Sequence, residues 1–209
     1  MARGRFITFE GGEGGGKSTQ ILRLEARLKA AGHSVVRTRE PGGSPGAEAI
    51  RPLLLTGDVN RWSATTETLL MYAARRDHIE RVIEPALARG DFVLCDRFYD
   101  STRAYQGAAG GASEALIGAL EQLVVGDTRP DLTLVLDLPA QTGLERSMGR
   151  HANSEIRFEA KGIAFHERLR AAFLAIAERE PQRCAVIDAS ASIDEVDEAV
   201  WRCVSERLA

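Results

Sequence analysis

The chain has 209 residues, of which 44% are hydrophobic and 27% are charged, and these values predict one globular domain over residues 1–209. The formal net charge of −3 at pH 7 gives no indication of a nucleic-acid or membrane-surface partner. Three widely spaced cysteines without a C-x-x-C pair fit neither a disulfide framework nor a zinc site. The first five residues are too few for a signal peptide and no apolar run is long enough for a membrane span, so we expect a cytoplasmic protein.

A glycine-rich loop follows the first predicted strand, residues 5–9. Gly11, Gly16, Lys17 and Ser18 satisfy the spacing G-x-x-x-x-G-K-[ST], in which backbone N–H groups surround phosphate oxygens, the lysine reaches the outer phosphates and the hydroxyl holds Mg²⁺. A helix predicted over 17–31 places its anion-favouring N-terminus at the loop. A flexible glycine linker is the alternative, but a strand and an amphipathic helix do not usually bracket a linker. The predicted triphosphate site comprises Gly11, Gly12, Glu13, Gly14, Gly15, Gly16, Lys17, Ser18 and Thr19.

Apolar strands alternate with helical segments along the rest of the chain. Strands are predicted at 34–38, 91–95, 132–138 and 184–187, and helices at 65–88, 113–125, 140–148, 159–178 and 193–208. This alternation predicts an α/β fold in three layers, a five-stranded parallel sheet with helices on both faces. Ligands of such sheets bind beyond the carboxyl ends of the strands. No linker or internal repeat divides the chain.

Charged residues directly follow two of the predicted strands. Arg39 follows the second strand, and Asp96 and Arg97 follow the third. At this place an aspartate can approach the Mg²⁺ of a bound nucleotide through water, and an arginine can hold a second phosphate. The alternative is that Asp96 and Arg97 pair with other charges and only cap the strand. The neighbouring glycine loop favours the functional interpretation.

The helix predicted over 65–88 carries Met71 and Arg75 one turn apart on a single face. An apolar group one turn before an arginine can hold an aromatic ring and its phosphate together. The alternative is that Met71 belongs to the core and Arg75 to the solvated surface. The four histidines, which include His78, show no ligand spacing and no Ser-His-Asp or Cys-His arrangement, so we interpret them as structural or surface residues.

Several motifs together resemble the thymidylate kinases over essentially the whole chain. They are FEGGEGGGKS at 9–18, TREPGG at 38–43, AAR at 73–75, DR at 96–97 and STRAYQG at 101–107. The resemblance implies a P-loop NTPase fold with a mobile lid over about 146–159, and a homodimer. It also implies an enzyme that uses ATP and Mg²⁺ to phosphorylate dTMP to dTDP for dTTP synthesis.

The resemblance further implies residue roles. Glu13 would bond the 3′-hydroxyl of the acceptor sugar, Tyr105 would crowd the 2′ position and disfavour ribonucleotides, and Gln106 would contact the thymine ring. Arg75 and Arg97 would hold the acceptor phosphate and base. The acceptor site implied in this way comprises Glu13, Arg39, Arg51, Met71, Arg75, Arg97, Ser101, Tyr105 and Gln106, and the magnesium site comprises Ser18 and Asp96.

The chain departs from the family pattern at two positions. Met71 stands where the family commonly has a phenylalanine that stacks on thymine, which keeps a kinase for another nucleotide or nucleoside open as an alternative. Gly14 stands where some members carry an arginine, so besides Lys17 another cation must neutralise the transferring phosphoryl group.

The lid segment is the expected source of that cation. Arg150 is the first candidate for the catalytic arginine, followed by Arg146 and Arg157. Family lids usually carry Asp-Arg-x-Glu, whereas this chain has IRFE at 156–159, and a polar surface loop is the alternative interpretation. A GTP-dependent switch is a further alternative, but the chain contains neither Asn-Lys-x-Asp nor Asp-x-x-Gly.

Overall fold

The central layer is a parallel sheet of five strands in a computed structural model that describes residues 3–148, 157–158 and 161–208. The strand order is β2-β3-β1-β4-β5, so β1 lies in the middle. All five residues of β1 are buried, because helices cover both faces of the sheet. The predicted fold class and all five strands are confirmed, with bounds that agree to within a single residue. The strands are β1 (Phe6–Glu10), β2 (Val35–Arg39), β3 (Phe92–Asp96), β4 (Leu132–Asp137) and β5 (Cys184–Asp188).

Helices form the two outer layers. Alternate residues of β1 point to opposite faces, so Ile7 and Phe9 pack with α1 and α9 while Phe6 packs with α3 and α4. None of the helices in the described ranges is both long and apolar enough to cross a membrane. The helices are α1 (Lys17–Ala30), α2 (Pro45–Leu55), α3 (Ala64–His78), α4 (Glu84–Ala88), α5 (Tyr99–Thr102), α6 (Glu114–Val124), α7 (Ala140–Met148), α8 (Ile163–Arg179) and α9 (Ile193–Leu208), and π-helical turns span Ile79–Ile83 and Arg103–Ala108.

Several helical segments differ from the prediction, including α5 and the π-helical turn Arg103–Ala108, which lie in no predicted helix. The helix predicted over 65–88 is divided by the π-helical turn Ile79–Ile83, and α8 begins at Ile163 instead of residue 159. Helix α2 is absent from the predicted elements, because Pro45, Gly46 and Pro52 weaken a helical pattern, although Pro45 suits the first turn of a helix. Packing against α3 buries Leu54 and stabilises α2 in spite of Pro52.

Candidate functional site

The phosphate loop, residues 11–18, connects the end of β1 to the start of α1 at the carboxyl edge of the sheet. Gly11 has a φ of 122°, and a Cβ atom there would lie 2.4 Å from the carbonyl oxygen of Leu136. Gly14 has a φ of 69°, and a Cβ atom there would lie 2.2 Å from the carbonyl oxygen of Gly143 in α7. Only glycine fits both the backbone conformation and the close approach at these two positions. A side chain at position 14 is therefore excluded by the packing against α7.

Lys17 is held against the backbone of the phosphate loop. Its Nζ donates to the carbonyl oxygen of Gly12 at 2.7 Å and to that of Gly11 at 3.3 Å. Burial, and then the charge of Arg97, lowers the pKa of Lys17. The Lys17 ammonium group thus lies within the phosphate loop, whose backbone the motif predicts will bind phosphate.

Ser18 and Asp96 lie together, as the magnesium prediction requires. The Ser18 hydroxyl donates to Oδ2 of Asp96 at 2.9 Å. The pairing of β1 with β3 sets Phe9 beside Asp96, which brings the end of β3 next to the start of the loop. A hydroxyl and a carboxylate supply the hard oxygen atoms that Mg²⁺ prefers, so these two residues fit the ion.

Arg97 connects the phosphate loop to the segment after β3. Its φ is 69°, an uncommon conformation for a residue with a side chain. Its guanidinium donates to the Gly11 carbonyl oxygen at 2.8 Å and to Oε1 of Glu13 at 2.9 Å. The Tyr105 hydroxyl donates to the same Oε1 at 2.6 Å. Burial alone would raise the pKa of Glu13, but the charges of Arg97 and Lys17 and the bond from Tyr105 outweigh it and hold the pKa at about 2.

Glu10, at the end of β1, is a site residue that the sequence analysis missed. It is fully buried and accepts from the Phe98 backbone N–H at 2.7 Å and from the Ser101 hydroxyl at 2.6 Å. Burial and the nearby charge of Asp100 raise its pKa to about 7. Glu10 thus positions the start of α5, which follows Arg97. An acidic residue at the end of an otherwise apolar strand was the available signal.

Arg75 is 2% exposed, so the alternative that it belongs to the solvated surface is wrong. Its Nε donates to Oε2 of Glu40 at 2.7 Å, and its terminal nitrogens donate to the Thr102 hydroxyl at 3.1 Å. The other oxygen of Glu40 lies 3.0 Å from Nδ1 of His78, whose Nε2 lies 2.6 Å from the Thr38 hydroxyl. His78 is therefore a buried structural residue that orients Glu40. The spacing of the histidines along the chain could not reveal this role.

The cleft beside these residues has a volume of about 340 Å³. Of the predicted acceptor residues, all except Arg39 line it. The Arg39 side chain is half exposed and contacts Glu48 at 3.4 Å. Arg51 donates to the Pro41 carbonyl oxygen at 2.5 Å. Those that line the cleft are Glu13, Arg51, Met71, Arg75, Arg97, Ser101, Tyr105 and Gln106, together with Lys17, Ser18 and Asp96.

The three candidate lid arginines have different surroundings. Arg157 is 3% exposed and donates to the carbonyl oxygens of Leu54, Asp58 and Val59 and to Glu67. Its guanidinium thus binds the segment between α2 and α3. Arg146 is exposed at the end of α7 and donates to the carbonyl oxygen of Ala189 at 3.2 Å. Arg150 lies outside the described residues, as does most of the predicted lid.

Known proteins share both the sequence and the fold. A family model described as thymidylate kinase matches residues 9–200. A curated thymidylate kinase of Caulobacter vibrioides is 66% identical over 208 residues, which cover 100% of this chain and 99% of that protein. Another, of a Bradyrhizobium species, is 55% identical over 207 residues, or 99% of this chain and 92% of that protein. The crystal structure of thymidylate kinase from Ehrlichia chaffeensis matches at 34% identity with a TM-score of 0.79, over 97% of this chain and 99% of that one.

Proposed function

The chain belongs to the thymidylate kinase family, and from that premise we propose that its cleft transfers the γ-phosphoryl group of ATP to dTMP. The protein is an ATP-dependent phosphotransferase that converts dTMP to dTDP, a step in dTTP synthesis. One observation supports this cleft as the place of the reaction. Glu13 of the phosphate loop accepts hydrogen bonds from both Arg97 and Tyr105 of the acceptor side, so the two halves of the site meet at one carboxylate.

On the donor side, the backbone N–H groups of the phosphate loop bind the phosphates of ATP and Lys17 neutralises their outer oxygens. Ser18 and Asp96 would hold Mg²⁺, which when bound neutralises charge on the β- and γ-phosphates. Phosphoryl transfer needs little covalent help from the protein, because its barrier is lowered mainly by positioning and by fixed positive charge. The phosphate loop supplies both.

On the acceptor side, Arg75 and Arg97 hold the phosphate and base of dTMP, with Arg51 beside them. Glu40 orients Arg75 through a 2.7 Å ion pair, and Glu13 and Ser101 orient Arg97. Met71, which is partly buried and packs with the apolar cluster around Tyr105, contacts the base through its polarizable side chain. The same Tyr105 ring limits the room at the 2′ position of the sugar, and Glu13 bonds the 3′-hydroxyl.

The transferring phosphoryl group needs a cation besides Lys17, since packing against α7 excludes a side chain at Gly14. We assign this role first to Arg150 and then to Arg146. Arg157 is a weaker candidate because its guanidinium already binds four acceptors in α2, α3 and the segment between them. Arg150→Ala is expected to lower kcat by about 10²-fold or more with little change in dTMP binding. An unchanged kcat would move the role to Arg146.

A nucleotide panel tests the function. Purified protein with ATP and Mg²⁺ is assayed for turnover of dTMP, dUMP, dCMP and dGMP, and dTMP is expected to be preferred. No preference would instead favour a kinase for another nucleotide, the alternative that Met71 keeps open. Lys17→Ala should abolish transfer and leave the circular dichroism spectrum unchanged, and retained activity would contradict the phosphate-loop assignment.

We further place the protein in the cytoplasm as a homodimer. Cys95, Cys184 and Cys203 are all free, which fits a reducing compartment. The adjacent helices α3 and α6 expose Leu69 by 47% and Leu123 by 77%, as expected of a surface that another copy covers.

Light scattering after size exclusion tests the dimer. Leu123→Glu is expected to give monomers, because a buried charge opposes association. Leu22→Glu, on half-exposed Leu22 of α1, is the matched control and should leave the dimer intact. A dimeric Leu123→Glu variant would remove α6 from the interface.

A further inference from the structure

The amide of Gln106 lies between a buried carboxylate and the cleft. Its Nε2 donates to Oε1 of Glu67 at 2.8 Å, and both side chains are less than 5% exposed. Gln106 also lines the cleft, and its buried Oε1 has no hydrogen-bond partner among the described residues. A buried acceptor without a partner costs free energy unless a ligand satisfies it.

Glu67 has a buried arginine as its counter-ion. Its Oε2 forms an ion pair with Arg157, which is 3% exposed. Arg157 in turn donates to three backbone carbonyl oxygens, those of Leu54, Asp58 and Val59, and so is fixed in place. The Glu67 carboxylate therefore faces a fixed guanidinium at one oxygen and the Gln106 amide at the other.

An ionised carboxylate can only accept hydrogen bonds, and this limits Gln106 to one orientation. The amide must turn its NH₂ group towards Glu67 and therefore its carbonyl oxygen away from Glu67. A glutamine free of this constraint can present either a donor or an acceptor to a ligand, since the two ends of the amide have almost the same shape.

We propose that Glu67, with Arg157 as its counter-ion, is a positioning residue that makes Gln106 present only an acceptor to the base. Thymine has a donor at N3, where cytosine has an acceptor. The fixed Gln106 carbonyl oxygen therefore accepts from thymine N3–H and faces the cytosine lone pair without a hydrogen bond. This inference rests on the proposed function and adds to it a residue, remote from the substrate, that selects the base.

The test compares kcat/KM for dTMP and dCMP, with ATP and Mg²⁺, in Glu67→Gln. A neutral amide at position 67 can donate or accept, so Gln106 is free to turn. The ratio of kcat/KM for dTMP to kcat/KM for dCMP is expected to fall at least about tenfold. The fall should come mainly from a higher KM for dTMP, because a wrong hydrogen-bond partner weakens binding. Glu67→Asp keeps the carboxylate and should retain most of the ratio.

A double variant separates positioning from a general structural effect. If Glu67 acts through Gln106, then Glu67→Gln should change the ratio by less than about twofold in a protein that already carries Gln106→Leu. Asp197→Asn on α9 is the matched control, because it neutralises another buried acid that is paired with an arginine, Arg27 of α1. It should leave the ratio unchanged.

The outcomes are distinguishable. Should Glu67→Gln not fold, as judged by circular dichroism, Glu67→Met replaces it, since removal of the carboxylate also leaves the Gln106 amide free to turn. An unchanged ratio in the folded variant, or an equal fall with leucine at position 106, would overturn the inference. Failure of the proposed function has a different signature, namely wild-type protein that does not prefer dTMP.

Discussion

The Tyr105 hydroxyl donates a 2.6 Å hydrogen bond to Oε1 of Glu13 and thereby joins the π-helical turn after α5 to the phosphate loop. Burial raises the pKa of the Tyr105 hydroxyl, so it remains a donor over the ordinary pH range. The same oxygen of Glu13 accepts from Arg97 at 2.9 Å. The donor and acceptor halves of the cleft are therefore connected through the Glu13 carboxylate.

Tyr105→Phe is expected to lower kcat/KM for dTMP about 10-fold, since hydrogen bonds to charged groups contribute roughly 1.5–3 kcal/mol. The ring, and with it the packing against Phe158 and Phe165, is kept. Tyr99→Phe is the matched control, because the buried Tyr99 hydroxyl has no hydrogen-bond partner within the described ranges. Equal kinetics for the two variants would mean that the bond to Glu13 does not contribute.

Glu40→Gln should destabilise the fold by about 3–5 kcal/mol, because it leaves the buried guanidinium of Arg75 without its counter-ion. Urea unfolding measures the change. Glu80→Gln removes an exposed partner of Arg76 and is expected to cost less than about 1 kcal/mol. Similar losses for the two variants would contradict the importance of burial for the Glu40–Arg75 pair.

Gly14→Ala is expected to destabilise the protein by about 1–3 kcal/mol, because alanine disfavours a φ of 69° and its Cβ atom would meet the Gly143 carbonyl oxygen. Gly12→Ala is the control within the same loop, since no atom lies within 4 Å of a Cβ atom there. Its free energy of unfolding should stay near the wild-type value. A stable Gly14→Ala variant would show that α7 can move away from the loop.

The raised pKa of Glu10 leads us to expect that the stability of the fold depends on pH. Burial, and then the charge of Asp100, raises its pKa from the ordinary 4.5 to about 7. Between these values the folded state holds a proton that the unfolded state releases, so this contribution is complete below pH 4.5 and is lost as the pH rises to about 7. Glu13 and Glu180, whose pKa values are about 2, change the free energy of unfolding with pH only below that window.

Glu10→Gln should therefore remove a decline in the free energy of unfolding between pH 4.5 and about 7. Denaturant unfolding at several pH values measures this slope. Glu195→Gln, on an exposed acid whose pKa is lowered by bonds from Ser192, should keep the wild-type slope in this window. The same slope in Glu10→Gln would assign the decline to another group.

The parallel sheet, the phosphate loop and the residues after β3 could be predicted from the sequence, because each depends on local order along the chain. The alternation of apolar strands with helices indicates a sheet whose two faces are both buried. The spacing from Gly11 to Ser18 identifies the phosphate loop from one short stretch of the chain. The family motifs then indicated which residues face the cleft, and all those assigned to the acceptor except Arg39 line it.

Only the tertiary structure decided which groups set the geometry and charge of those residues. Glu40 is 35 positions from Arg75, and Glu67 is 90 positions from Arg157, so no local pattern could pair them. The pKa values of Glu10 and Glu13 differ by several units although the two acids are close in sequence. Burial raises the first, whereas Arg97 and Tyr105, brought in from distant segments, overcome burial at the second. Local sequence thus determined which groups the site contains, while long-range packing determined their orientation and charge.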